Sequence, residues 1–321
     1  MTANRCVLAG IVTYHPDPFE LTRLVGRIAP QVEEILIVAN SDLPDALAAQ
    51  LGEVSGPTPL RVRRAAGNEG LGAAYNGLAS RARAGGFGFV LLLDQDSLPG
   101  PGCVAALRAG FAALEAAGER PALLGPRPVG PGGAPLKAPP PLAGRAAEGR
   151  LVPVAFAISS GSLIRREALD AVGPFRSDFF IDGIDVEWCL RAAAAGFTVW
   201  RAEDEPMAHA LGRGVIRLPF GLRLADQPPA RVYTAIRNQL ALLRLAHVPA
   251  RLKARMLLAL PLRIAAYLVR ARASREIRSA LWCAVRDGAT LRLGPPGRRF
   301  RPAPAGHRVA AGGRAGQPRR S

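Results

Sequence analysis

The chain has 321 residues, of which 49% are hydrophobic, and a formal net charge of +17. This length and apolar content exclude a wholly disordered chain and favour one large domain with an appendage. The four cysteines lie far apart, without the CxxC spacing that a zinc or redox site needs, so we expect buried thiols in a reducing compartment.

The first part of the chain alternates short apolar runs with helical patterns. Strands are expected at Cys6–Val12, Ile35–Ala39, Leu60–Arg63 and Phe87–Leu93, and helices at Phe19–Ile28, Leu43–Leu51, Leu71–Ala84 and Cys103–Ala117. Strands that are apolar throughout are typical of a parallel sheet covered by helices on both faces. The pattern predicts an α/β fold with a largely parallel sheet and ligands beyond the carboxyl ends of its strands.

The second part is less regular. The Pro- and Gly-rich segment Pro126–Gly149 predicts a surface loop. After it, strands are expected at Val152–Ile158 and Thr198–Ala202, and helices at Arg166–Val172 and Ile184–Ala195. Beyond residue 230 the pattern predicts amphipathic helices at Val232–Ala246, Arg251–Val269 and Arg275–Arg286, followed by a disordered Arg/Pro/Gly tail.

The excess positive charge lies behind the α/β part. Residues 1–210 hold 19 basic and 22 acidic residues, net −3, whereas residues 211–321 hold 23 and 3, net +20. We therefore divide the chain into an α/β domain (1–215), a basic helical region (216–293) and a disordered tail (294–321). Such a region attracts anionic lipid or nucleic acid, and a solvated basic face is the other interpretation.

The chain has no predicted membrane span or signal peptide. Met256–Val269 is shorter than a spanning helix and contains Pro261 and Arg263, so a peripheral helix is expected. Met1–Ala9 lacks a basic region followed by a long apolar stretch. We expect a cytoplasmic protein that is peripheral at the inner face of the cell membrane.

The triplet Asp94-Gln95-Asp96 directly follows the strand Phe87–Leu93. Two neighbouring carboxylates at a strand end suit Mg²⁺ or Mn²⁺, which bind through one or two carboxylates together with substrate phosphates. An exposed turn is the alternative interpretation.

A second acidic cluster, Asp182, Asp185 and Glu187, begins a predicted helix. Acids in a first helical turn can do no more than complement the helix dipole. However, one carboxylate held near others can have a raised pKa, as a general base requires.

The segment Asn68–Gly77 opens another helix with small residues, which would allow a ligand close to the backbone, although an ordinary helix cap is the alternative. His209 alone is more typical of a structural histidine.

Taken in order, these segments resemble glycosyltransferase family 2, inverting enzymes with the GT-A fold, in the bacterial rhamnosyltransferase-like branch. The resemblance spans residues 5–215 and is carried by Val7–Tyr14, Ile37–Ser41, Asn68–Gly77, Leu93–Ser97, Ser160–Arg166, Val172–Phe175, Phe180–Arg191 and His209–Gly212. It implies a Rossmann-like sheet flanked by helices.

The resemblance also implies roles for individual residues. Asp96 would ligate the divalent metal on the donor diphosphate, with Asp94 beside it and His209 completing the metal site. Asp185 would be the general base, aligned through Arg191. The implied nucleotide-sugar site comprises Thr13, Asn40, Asn68, Gly70, Asn76, Asp94 and Gln95. The implied acceptor site comprises Gly161, Ser162, Asp182, Glu187 and Trp188.

Two departures from the family pattern leave alternatives open. Ile184 stands where many members have Glu, so Asp182 and Glu187 remain candidate bases. Asn40 replaces a common acidic residue, which leaves nucleobase recognition open.

The expected activity is inverting transfer of rhamnose from dTDP-rhamnose to a glycan or lipid-linked acceptor in cell-surface polysaccharide synthesis. UDP-galactofuranose is the alternative donor. A nucleic-acid-binding or scaffolding protein acting through its basic region is the alternative class. A Rossmann oxidoreductase is disfavoured, because no GxGxxG follows the first strand.

Overall fold

The computed structural model describes residues 6–130, 136, 138–208, 215–217, 223–225, 227–270 and 274–297. The strands are β1 Val7–Thr13, β2 Glu34–Ala39, β3 Leu60–Arg64, β4 Phe89–Asp94, β5 Pro121–Val129, β6 Leu151–Pro153, β7 Leu163–Arg165, β8 Thr198–Ala208, β9 Val215–Arg217 and β10 Arg223–Ala225. The helices are α1 Pro18–Ile28, α2 Asp45–Ser55, α3 Leu71–Gly85, α4 Cys103–Ala116, α5 Arg166–Val172, α6 Ile184–Ala194, α7 Pro229–Leu242, α8 Ala250–Arg270 and α9 Arg275–Ala289.

The central sheet has eight strands in the order β3-β2-β1-β4-β7-β5-β8-β6. The strands β3, β2, β1 and β4 pair in parallel, and so do β5 and β8. Because β7 runs antiparallel to both β4 and β5, β5 keeps the direction of β4. The strand β6 is antiparallel to β8. The α/β fold that the sequence predicted is confirmed, with a sheet that becomes mixed in its second half.

Helices cover both faces of the sheet, and this explains why the sequence of β1 is apolar throughout. Leu8 and Val12 face a core that α3, α5 and α6 cover. Val7, Ala9 and Ile11 face the opposite core, which α1, α2 and α4 cover. Since successive strand residues point to opposite faces, a strand between two helical layers needs apolar residues at every position.

The prediction of a loop from Pro126 to Gly149 was wrong at its start. The strand β5 continues to Val129 through two prolines, and its pairing with β8 shifts register between Pro126 and Arg127. Proline cannot donate to a ladder and is tolerated at such irregularities, so its presence hid the strand. The strand β7 was also missed, because three residues carry no periodicity.

The C-terminal helices are continuous with the α/β core. Ala241, Leu242 and Val248 lie in the same cluster as residues of β1 and α3. The outer parts of the three helices form a cluster of their own, around Val232, Ile236, Leu260 and Leu281. Among the described helices, none has the length and apolar content to cross a membrane. The predicted tail lies almost wholly at 298–321, outside the described residues.

Candidate active-site cleft

A cleft of about 1620 Å³ opens beyond the carboxyl ends of β1, β2 and β4. Its floor includes Thr13, Asn40 and the triplet 94–96, and one wall is the segment 180–185. The start of α7 and Arg275, Glu276 and Ser279 of α9 also line the cleft. Single-ligand pockets usually measure about 300–1,000 Å³, so this cleft has room for two substrates.

Two polar side chains on the floor have unused hydrogen-bonding atoms. Thr13 and Asn40 end neighbouring strands, and the Asn40 backbone N–H donates to the Thr13 carbonyl oxygen at 2.8 Å. Both side chains are buried. Thr13 Oγ1 and Asn40 Oδ1 have no hydrogen-bond partner within the described part of the chain. A buried polar atom without a partner is costly, so a ligand with a matching polar edge would stabilise this floor.

Gln95 lies in the cleft, but its amide holds the loop after β1. Its Oε1 accepts from the Tyr14 backbone N–H at 2.7 Å, and its Nε2 donates to the Tyr14 carbonyl oxygen at 3.3 Å. The next residue, His15, is fixed by its N–H donating to Ser41 Oγ at 2.6 Å. In this structure Gln95 positions the loop after β1, and its predicted nucleotide-binding role stays a prediction.

Asp94 and Asp96 both line the floor. The Asp94 backbone N–H donates to Ser97 Oγ at 3.1 Å, which fixes the turn after β4, and Asp96 is exposed to the cleft. Two oxygen ligands of this kind fit a divalent cation that takes its remaining ligands from a diphosphate and water. The described residues contain no cluster of three metal-ligand side chains, and His209 lies outside them.

Asp185 lies on the wall of the same cleft, at the second position of α6. Burial raises the pKa of its carboxyl group, and the charge of Asp182 acts in the same direction. Backbone N–H donors, among them Val186 at 2.8 Å, oppose this shift. A carboxylate with a raised pKa in a cleft has the property expected of a general base.

The buried Tyr75 is influenced by one carboxylate of the cleft floor and one of the wall. Burial raises the pKa of Tyr75 well above its usual value, and the charges of Asp94 and Asp185 both add to the shift. The Tyr75 hydroxyl donates to Ser159 Oγ at 2.9 Å, and Ser159 also lines the cleft. The carboxylates of Asp94 and Asp185 therefore both raise the pKa of the buried Tyr75 hydroxyl.

Asp182 is held by α7. Arg231 Nη2 donates to Asp182 Oδ1 at 2.7 Å, and its Nε lies 3.1 Å from both carboxylate oxygens. The Thr234 hydroxyl donates to Asp182 Oδ2 at 2.6 Å. Because Arg231 and Thr234 engage both carboxylate oxygens of Asp182, Asp185 is the better candidate base.

The loop before Asp185 is strained and clamped. Phe180 and Asp182 have φ values of 64° and 63°, in the left-handed region that costs non-glycine residues about 1–2 kcal/mol each. Asn238 Nδ2 lies 2.9, 2.6 and 2.8 Å from the carbonyl oxygens of Phe179, Ile181 and Asp182. Arg237 Nη2, fully buried, donates to the Phe179 carbonyl oxygen at 2.9 Å. We call residues 179–182 the clamped loop.

The glycines at the start of α3 approach protein backbone. A Cβ on Gly70 would lie 2.6 Å from the Phe180 carbonyl oxygen, and one on Gly72 would lie 2.6 Å from that of Arg176. The missing side chains therefore admit protein backbone, and the close approach of a ligand stays a prediction. Asn68 and Gly70 both line the cleft, and Asn68 Oδ1 accepts from the Gly70 N–H at 3.0 Å.

Five predicted binding residues do not line the cleft, namely Asn76, Gly161, Ser162, Glu187 and Trp188. Asn76 bridges the backbone of Phe175 through both amide atoms. The Cα of Gly161 packs against Met207, and the Ser162 hydroxyl donates to the Ile158 carbonyl oxygen.

Glu187 and Trp188 are buried on the inner face of α6. Glu187 pairs with Arg191 and lies 3.0 Å from His247 Nε2. The Trp188 indole donates to the Gly173 carbonyl oxygen and its ring stacks on Phe175. Neither residue has a surface left for an acceptor.

Sequence reasoning missed the contribution of α7. Arg231, Thr234 and Asn238 share one helical face through their i, i+3, i+7 spacing. Polar residues repeating at helical spacing in an otherwise apolar helix were the available signal.

Comparison with known proteins agrees with this geometry. The sequence profile described as Glycosyl transferase family 2 matches residues 11–173. A 92-residue stretch is 38% identical to the dTDP-rhamnosyl transferase RfbF of Shigella flexneri, covering 29% of this chain and 31% of that protein.

Solved structures share the fold at low identity. TarS of S. aureus superposes with a TM-score of 0.58 at 16% identity, over 92% of this chain and 50% of TarS. GalNAc-T7, solved with UDP, GalNAc and Mn²⁺, gives 0.56 at 15% identity, over 78% of this chain and 53% of that chain. The mannosyltransferase PcManGT from Pyrobaculum calidifontis, solved with GDP-Man and Mn²⁺, superposes with a TM-score of 0.54 at 14% identity, over 88% of this chain and 87% of PcManGT.

The profile covers half of the chain, and the sheet agrees with the fold of these neighbours. The chain therefore belongs to glycosyltransferase family 2.

Proposed function

We propose that this protein transfers a sugar from a nucleoside-diphosphate donor to a hydroxyl of a glycan or lipid-linked acceptor, with inversion at the anomeric carbon. One observation carries the proposal: Asp94 and Asp96 line the same cleft as Asp185, the carboxyl group with the raised pKa. Donor activation and acceptor deprotonation need these two kinds of carboxylate on opposite sides of the reacting sugar.

In this mechanism Asp185 accepts the proton of the acceptor hydroxyl while the hydroxyl oxygen attacks the anomeric carbon. The bond between that carbon and the diphosphate oxygen breaks, and the nucleoside diphosphate leaves. Asp94 and Asp96 would hold a divalent cation, Mg²⁺ or Mn²⁺, whose charge stabilises the departing diphosphate. The neighbours solved with Mn²⁺ support a divalent cation.

The floor of the cleft suits a pyrimidine base. Asn40 Oδ1 would accept from a ring N–H, and the Thr13 hydroxyl would donate to a ring carbonyl, which gives both buried atoms a partner. Thymine and uracil present the same edge, so these contacts do not select between dTDP and UDP donors. The similarity to a dTDP-rhamnosyl transferase favours dTDP-rhamnose, and UDP-galactofuranose is the alternative.

The test is a donor screen with purified protein, Mg²⁺ or Mn²⁺, and a lipid-linked glycan acceptor. We expect transfer from dTDP-rhamnose and an inverted product. Asp185→Asn should lower turnover by about 10²–10⁴-fold with nucleotide binding retained, whereas Asp96→Asn should weaken metal-dependent nucleotide binding.

Asp204→Asn is the matched control, because Asp204 is a surface carboxylate paired with Arg150 away from the cleft. It should behave as the parent does. No transfer from any donor by a folded protein would contradict the proposed activity, and the opposite pattern in the two cleft variants would exchange the two roles.

We further propose that the protein works at the inner face of the cell membrane, where a lipid-linked acceptor would be present. The net charge of +20 over residues 211–321 supports an anionic surface as its partner.

A further inference from the structure

The outer face of α8 is apolar, although it is exposed. Leu258, Leu262 and Val269 are 76%, 60% and 76% exposed. Their spacing of four and seven residues puts them in one stripe along the helix. Leu257 and Leu268 are exposed beside this stripe. We call these five side chains the outer stripe.

The side chains of the outer stripe do not belong to the buried cluster of the C-terminal helices. The opposite side of α8 already packs in the helical cluster through Leu260, Ala266 and Tyr267. Soluble helices normally carry polar residues on the side away from the core, so an apolar second face indicates a partner.

Charge distinguishes between possible partners. The sequence of α8 contains five basic residues and no acidic one. On α9 the exposed Trp282 shares a helical face with Arg275, Arg278 and Arg286, while the acidic residues of this helix are Glu276 and Asp287, the latter buried and paired with Arg286. Two copies of such a surface would repel each other, which disfavours a dimer through this face. The helix α8 has 21 residues but is not apolar enough to span a bilayer. A helix with exposed apolar and basic residues of this kind is typical of one that lies in the interface of an anionic bilayer.

We propose that the outer stripe of α8 inserts into the headgroup region of an anionic lipid bilayer, with the exposed Arg251 and Arg255 of α8 at the lipid phosphates. This deepens the membrane partner proposed above, and its purpose rests on the proposed function. The helix α9 packs against α8 in the helical cluster and lines the cleft through Arg275 and Ser279, which connects the docking helix to the cleft. Docking would bring the cleft near lipid-anchored acceptors.

The test is co-sedimentation of the full chain with vesicles of equal parts phosphatidylglycerol and phosphatidylcholine, and with vesicles of phosphatidylcholine alone. The parent should bind the anionic vesicles and bind the neutral ones much more weakly. The triple variant Leu258→Gln, Leu262→Gln, Val269→Thr should bind the anionic vesicles at least about tenfold more weakly, since three exposed apolar groups no longer enter the bilayer.

Phe19→Gln is the matched control, because Phe19 is 68% exposed on α1 and lies away from this surface. It should bind as the parent does. Equal thermal unfolding of the variants would show that the fold is intact. A second variant, Arg251→Gln with Arg255→Gln, should reduce the salt-sensitive part of binding.

Unchanged vesicle binding by the triple variant, or no binding of anionic vesicles by the parent, would overturn the docking surface. Transfer to a short water-soluble acceptor, measured without vesicles, separates the two proposals. The transfer rate should be the same for the parent and the triple variant. Loss of vesicle binding with an unchanged transfer rate would then mean that the substitutions affect membrane docking and not the transfer reaction.

Discussion

Replacing Asn238 by Ala should release the clamped loop and slow the reaction. The Asn238 amide nitrogen has two hydrogens, which it shares among three carbonyl oxygens, that of Phe179 buried and those of Ile181 and Asp182 partly buried. Each lost hydrogen bond costs about 0.5–1.5 kcal/mol net, and a buried carbonyl left without a partner costs about 1–3 kcal/mol. We therefore expect Asn238→Ala to lower the free energy of unfolding by about 2–4 kcal/mol.

The effect on turnover follows from strain. Phe180 and Asp182 keep their left-handed conformations only while the clamp outweighs a cost of about 1–2 kcal/mol each. Without Asn238 the loop relaxes, and Asp185, three residues further, loses its position. We expect kcat to fall by at least about tenfold with little change in nucleotide affinity, because an interaction realised in the transition state is lost.

The assay is urea denaturation followed by tryptophan fluorescence, with kcat measured where each variant is fully folded. Asn76→Ala is the matched control: Asn76 also makes two backbone hydrogen bonds, at 2.9 and 2.8 Å to Phe175, but lies outside the cleft. It should lose stability and keep its kcat. A stability loss below about 1 kcal/mol in Asn238→Ala, or equal kcat in the two variants, would refute the reasoning.

Three further predictions concern single residues. Since burial raises the pKa of Asp185, its ionised form costs stability, so Asp185→Asn should unfold at higher urea at neutral pH, and the acid limb of kcat/KM in the parent should lie above the usual aspartate pKa. Arg81 lowers the pKa of Glu34; this stabilisation is present above the pKa of the unfolded state and is lost as pH falls through the folded one. Glu34→Gln should therefore cost about 1–3 kcal/mol at neutral pH and almost nothing in strong acid, measured by urea denaturation at both. Gly72→Ala should cost about 1–3 kcal/mol, because its Cβ would meet a backbone oxygen at 2.6 Å, whereas Gly52→Ala, with open space around it, should be neutral or stabilising in the same assay.

The first half of the fold could be predicted because its pattern is local. The strands β1, β2 and β4 are largely apolar because both faces are covered, and the turn signals between the elements are clear, whereas β3, at the edge of the sheet, carries three arginines. The two carboxylates after β4 could be found because a residue that follows a parallel strand lies at the ligand-binding edge of the sheet. Asp94 and Asp96 line the cleft as expected, and so does Asp185, which the sequence offered through the acidic cluster at the start of α6 and the family resemblance.

The rest depends on contacts between distant segments. Arg237 looks like a solvated charge in the sequence, but it is fully buried, with its guanidinium on the carbonyl oxygen of Phe179, 58 residues away. Trp188 looks like a sugar platform, but α6 turns it into the core. Which face of a helix is buried follows from tertiary packing, which one sequence does not reveal.

The contacts between α7 and the clamped loop bear on how relatives of this protein could be recombined. The matched profile ends at residue 173, and the domain boundary expected from composition falls at 215, yet Arg231 pairs with the Asp182 side chain and Asn238 holds the backbone just before Asp185. Exchanging the C-terminal helices for those of another family member, in order to change acceptor choice, would also exchange the support of Asp185, the proposed base. A working chimera would need the clamped loop and α7 from the same parent, joined beyond Leu242.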